Sequence, residues 1–161
     1  MVNFDAKTYT ADGEEIAIGD VKGGMQIIDM FGFGQTIRRS KNSNEKEYQY
    51  LTFDNGGELY CLTYLSLMTM DDEKDAIDLK PGDKVMGYKD GKIHEVTVTG
   101  SQWVTVVNKK NLGMPKKIKM TFLETYEDLP IVVEGIVIGM RKQLNGIRQQ
   151  VLVEDRMNMK K

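Results

Sequence analysis

Apolar and polar residues alternate along most of this chain. The segments "KTYTA", "MQIIDMFG", "EYQYLTF", "ELYCLTYLSLM", "DKVMGYK", "HEVTVTG", "WVTVVN" and "KIKMTFLE" place every second side chain on one face of an extended strand, and "IVVEGIVIG" reads as a buried-strand run. They are rich in Val, Ile, Thr, Tyr and Phe, whose branched or flat side chains suit a pleated surface. Between them stand turn signals such as Asp12-Gly13, Asn55-Gly56-Gly57 and Asp90-Gly91, where the backbone can take positive φ. No segment sustains a helical period. The pattern predicts an all-β domain of about ten short strands, as in a sandwich, barrel or interleaved sheet.

Two segments match each other at one constant offset. In "GDVKGGMQII" (Gly19 to Ile28) and "IDLKPGDKVM" (Ile77 to Met86), Asp20, Lys22 and Gly24 align with Asp78, Lys80 and Gly82. Val21 matches Leu79, and Ile27 matches Val85. Each copy follows a polar turn ("ADGEE", "MDDEKD"), makes a Lys-x-Gly corner and enters an apolar strand. A chain built of two such units is expected to carry an internal pseudo-twofold axis.

With 161 residues the chain has room for one domain with a real core. A net charge of −2 excludes the basic excess of a nucleic-acid binder. Lysines do gather in "NKKNLGMPKKIK", but no aromatic residues interleave with them, and they read as a solvated hairpin tip. The single cysteine, Cys61, rules out an intramolecular disulfide, and one histidine, His94, makes a metal site improbable, so no cofactor is expected. The start "MVNFDAKTYT" lacks a signal-peptide core, and no apolar run nears the roughly 18 residues of a membrane span. Synthesis and retention in a reducing cytoplasm are expected, without membrane association.

Four stretches carry a resemblance. "FDAKTYTADGEEIAIGDVKGG", "GGELYCLTYLSLMT", "AIDLKPGDKVMGYKDGKIHEV" and "ETYEDLPIVVEGIVIGM" occur in the order seen in the Hint fold of inteins, Hedgehog autoprocessing domains and bacterial intein-like domains. Together they cover most of Asn3 to Met140, with no room for an inserted endonuclease, so the chain resembles a minimal Hint unit. The resemblance implies an interleaved, horseshoe-shaped β fold over residues 1–140, with the duplicated corner as its internal repeat. Residues 141–161 are then an extension, either a last strand or a docking arm, and Asn145-Gly146 suggests a local hairpin.

The resemblance also says where chemistry should be. A self-cleaving domain opens with a thiol or hydroxyl that attacks the preceding carbonyl. That position is Asn3 here, a carboxamide and no nucleophile; a one-residue slip selects Phe4. The second stretch normally reads Thr-x-x-His, with the histidine helping the amide nitrogen leave. Thr63 is kept, but Ser66 holds the histidine position and does not titrate near neutral pH. The last stretch normally ends in His-Asn, and here Gly139 and Met140 stand there. Only Met1 and Val2 precede Asn3, so no upstream segment to release is expected. One corner also departs from the pattern, "KGGM" where the second copy keeps Gly82-Asp83.

Asn3, Thr63, Ser66, Gly139 and Met140 are therefore expected to form the vestige of a site, with no catalytic residue. His94 reads as an exposed strand residue and Cys61 as an inward one. Eleven methionines fill core gaps or, late in the chain, face a partner. The expectation is a catalytically inactive Hint-fold module working through protein–protein contact, self-association left open, in a setting such as a tailed-bacteriophage tail or baseplate. Two alternatives remain. One is an autoprocessing domain that gives Ser66, Thr63, Cys61 or His94 new roles; the other is a regulatory binder using the groove where the site was.

Overall fold

The computed structural model describes residues 1–105 and 117–139. Among them are the strands β1 (Val2–Asn3), β2 (Lys7–Tyr9), β3 (Glu15–Ala17), β4 (Gln26–Ile28), β5 (Gly34–Glu45), β6 (Tyr48–Phe53) and β7 (Glu58–Cys61). They continue with β8 (Ser66–Met68), β9 (Glu73–Asp75), β10 (Lys84–Lys89), β11 (Lys92–Val104), β12 (Ile118–Thr125), β13 (Ile131–Val133) and β14 (Ile136–Ile138). The described residues hold more strands than the alternation predicted, and β5 and β11 are longer. Two single 3-10 turns, Ile18–Asp20 and Ala76–Asp78, are the helical content described.

The strands pair antiparallel in a curled 12-stranded sheet of order β4-β5-β12-β1-β7-β6-β11-β10-β14-β8-β9, with β13 on β14, beside the β2-β3 hairpin. The sheet wraps one main core that includes Ile18, Ile37, Leu51, Leu67, Val85 and Ile136, all buried. Each such side chain contributes about 1.5–3 kcal/mol on leaving water. Met30 and Met86 pack with Val137 in a smaller cluster and Met120 is fully buried, as gap-filling methionines should be, whereas Met70 is exposed. Met114, Met140, Met157 and Met159 lie outside the described residues.

The two matching segments fall within the same order of elements. The β2-β3 and β8-β9 hairpins each lead through a 3-10 turn to a glycine corner, then into the β4-β5 and β10-β11 hairpins. At the corners Gly24 and Gly82 both take positive φ, 89° and 96°. Their N–H groups donate to Ile37 and Val98 carbonyls, each at 2.8 Å. In the second corner the Lys80 N–H donates to Asp83 Oδ2 at 2.9 Å; in the altered first corner the Lys22 N–H finds Met25 Sδ at 3.2 Å. The departure in sequence thus replaces one acceptor by a weaker one in the same place.

One reading needs correcting. "IVVEGIVIG" is two strands, β13 and β14, reversed at Glu134-Gly135, where both residues take positive φ (53° and 72°) as a two-residue hairpin requires. The Glu side chain, unusual in that conformation, hid the turn. Likewise "ELYCLTYLSLM" divides into β7 and β8 at a turn through Thr63 and Tyr64. The extension 141–161, with its Asn145-Gly146 hairpin, and Lys109, Lys110 and Lys116 lie outside the described residues; Lys119 is described, with Nζ 4.2 Å from the centre of the Phe4 ring.

Candidate functional site

The C-terminal hairpin is fixed from three sides. Buried Gln35 of β5 donates through Nε2 to the carbonyls of Leu129 (3.1 Å) and Pro130 (3.2 Å). Its Oε1 accepts from the Leu129 N–H at 3.0 Å and Thr125 Oγ1 at 3.1 Å, so the amide is spent clamping the approach to β13. Thr8 Oγ1 donates to the Val132 carbonyl at 2.6 Å. Beyond β13, β14 pairs with β10 and with β8, and the Gly139 N–H donates to the Ser66 carbonyl at 2.8 Å. Ser66 and Gly139, far apart in sequence, therefore meet.

What surrounds that meeting point was not expected. A Cβ on Gly139 would collide with the Glu73 carboxylate and lie 2.9 Å from Ser66 Oγ. Glu73 reaches there from β9, the partner strand of β8. Its carboxylate fills the space a side chain at 139 would need. Nothing in the local sequence around Glu73 signals this role, because the contact depends on how β8, β9 and β14 stack. Ser66 is buried, and its hydroxyl has no hydrogen-bond partner among the described residues.

Ser66 and Gly139 line a cavity of about 400 Å³ with Met1, Val2, Leu65, Leu123, Ile131, Val133 and Ile138, and with Arg39 and Lys41 of β5. Asn3 and Thr63 do not line it. Strand alternation explains Asn3: Val2 faces the cavity and its neighbour faces away. Asn3 is buried, its Nδ2 donating to Asp5 Oδ1 at 2.6 Å and its Oδ1 accepting from the Tyr60 N–H at 3.1 Å. Thr63 is buried, and its carbonyl accepts from the Ile77 N–H at 2.8 Å. Met140 lies outside the described residues. Of the five positions, the structure joins two.

The remaining candidates are dispersed. Cys61 is buried inward as expected, its Sγ 3.7 Å from the Gln49 carbonyl, and burial pushes its thiol up to about 12. His94 is on strand β11 but half-buried rather than exposed, at a separate polar cleft of about 690 Å³ with Tyr9, Tyr88 and Glu134. Burial, with Asp5 and Glu15 nearby, raises the Glu134 carboxyl above its usual range. No group of three His, Cys, Asp or Glu among the described residues is arranged to hold a metal ion. No helix of the described residues is long and apolar enough to cross a membrane.

Neither a family model nor a curated protein matches the sequence. Solved structures do. A DnaB intein from Synechocystis sp. PCC 6803 superposes with a TM-score of 0.70 at 12% identity, covering 86% of this chain and 96% of that one. A bacterial intein-like domain from Clostridium thermocellum gives 0.68 at 18% identity, over 86% and 99%. The gp41-1 intein gives 0.66 at 13%, over 86% and 96%. A curled all-β sheet built on duplicated hairpins and corners is the Hint fold, and this chain has it. Within that fold its likeness is to inteins and intein-like domains of minimal size.

Proposed function

We propose that this protein is a Hint-fold module that performs no self-cleavage and acts through contact with other proteins. The observation that carries the reading is the filling of the space beside Gly139 by Glu73. An imidazole there would have to displace the Glu73 carboxylate, the far end of a flexible side chain. Two further features agree. Both polar atoms of the Asn3 side chain are engaged in structural hydrogen bonds, and the Cys61 thiol is held protonated in the core. The setting proposed is a larger protein assembly, such as a phage tail or baseplate.

An autoprocessing reading would rest on Ser66 and Glu73, a hydroxyl and a carboxylate that converge at Gly139. The two readings part in one experiment. The chain is fused between two folded tags, one before Met1 and one after Lys161, and its intact mass is followed over days at neutral pH. The module reading expects one undivided product throughout. Cleavage or splicing near Asn3 or after Gly139, abolished by Ser66→Ala, would replace it with the autoprocessing reading.

A further inference from the structure

The polar cleft that holds His94 is built from segments far apart in sequence. The turn after β6 and the β13-β14 turn meet closely, for Asn55 Nδ2 donates to the Glu134 carbonyl at 3.2 Å and a Cβ on Gly57 would come within 2.8 Å of that same carbonyl. Bare backbone therefore forms part of the lining. On β2, Thr8 turns inward to the Val132 carbonyl, so alternation turns Lys7 and Tyr9 outward into the cleft, with Glu15, the register partner of Tyr9, beside them. The β10-β11 hairpin adds Tyr88, Lys89, His94 and Glu95. His94 lies over its register partner Gly87, where a Cβ would stand 3.2 Å from the imidazole Cε1. At about 690 Å³ the cleft has the size of a small-ligand site, and no residue lines both it and the cavity at Ser66 and Gly139.

Its charges do not cancel. Four carboxylates line it, Glu15, Asp54, Glu95 and Glu134, against the two amines of Lys7 and Lys89, and among the described residues none of these six makes an ion pair. The side chains of Tyr9, Glu15, His94 and Glu95 also make no hydrogen bond among the described residues, so their polar atoms are available to an occupant. The negative field reaches beyond the lining. Burial first, then the Asp29 carboxylate, raises the Tyr88 hydroxyl above its ordinary range, just as burial with Asp5 and Glu15 raises Glu134. Tyr9 is exposed and close enough to Tyr88 to act on its hydroxyl, which puts two aromatic side chains beside the carboxylates. Ring faces attract an organic cation, and carboxylates fix its N–H groups.

We propose that this cleft is a binding site for an organic cation, a guanidinium or ammonium group on an alkyl stem, held by Glu134 and Glu15 against Tyr9 and Tyr88. The site stands apart from the reading above, since no residue of the Ser66 cavity enters it. Glu134 and Glu15 supply the charge, the tyrosines the contact with the stem and head, and His94 with Glu95 further acceptors.

The test follows the amide resonances of the whole chain by NMR during titration with acetyl-arginine amide, agmatine and acetyl-citrulline amide. Saturable shifts are expected at the Gly56, Gly57 and Gly135 N–H groups with the capped arginine, and capped citrulline, its uncharged isostere, should bind about tenfold more weakly. Glu134→Gln should weaken arginine binding about tenfold and Tyr9→Leu about threefold. Glu15→Gln, a change at an exposed side chain, should weaken it in the same direction and keeps the test open if the Glu134 variant does not fold. Tighter binding of agmatine would name a free amine as the occupant, and tighter binding of the capped arginine a basic side chain of a partner; both support a cation site. Equal binding of arginine and citrulline, affinity unchanged in the folded variants, shifts that miss these glycines, or no saturable shift would overturn the proposal.

Discussion

A side chain at position 139 would start where the Glu73 carboxylate and the Ser66 hydroxyl already are, and a few such residue-level facts govern what the cavity can do. The resemblance in sequence pointed to Gly139, Ser66 and Asn3 as positions of interest, since their identity needs no structure. It did not show Glu73, whose importance arises only when β9 is folded against β8 and β14. Asn3 ends the short strand β1, and its contacts were not legible in the sequence, because a carboxamide's partners are set by the fold. Cys61 shows the opposite case, where alternation alone placed it inward. With its thiol pushed up to about 12 by burial, the folded protein should not react with Ellman's reagent at mildly alkaline pH. In guanidinium it should release one equivalent; rapid reaction of the native protein would show that the core is open at Cys61.

At the scale of elements, period-two patterning and Asp-Gly or Asn-Gly pairs made most strands readable. The exceptions have a physical cause. The β13-β14 turn uses Glu134 at positive φ, where Asn or Gly is the usual signal, so a hairpin looked like one strand. The corners were legible through their repeat, and they differ in one acceptor. Asp83 accepts from the Lys80 N–H, and this bond, helped by Lys74 at 3.6 Å and opposed by partial desolvation, holds its carboxyl below the ordinary 3.8. A depressed carboxyl stabilises the fold above its unfolded pKa and loses that contribution as pH falls through its folded pKa. Asp83→Asn should therefore unfold at lower urea than wild type near neutral pH, with the gap closing as pH drops below 3.8. A gap that stays constant with pH would mean that the carboxylate charge is not what the corner uses.

For the whole molecule, the fold was readable although identity to its structural neighbours is only 12–18% in the three described. What survives at that distance is the order of hairpins and corners, because backbone turns and buried alternation constrain few residues tightly and many loosely. The account joins these facts in one claim, that the molecule keeps the Hint scaffold while the space beside Gly139 has been closed by Glu73. A double-mutant cycle in urea tests it, using Gly139→Ala, Glu73→Ala and the two together. Gly139→Ala alone should cost about 1–3 kcal/mol through overpacking, and most of that cost should vanish in the Glu73→Ala background. If the alanine costs the same in both backgrounds, or nothing in either, Glu73 does not fill that space and the claim fails.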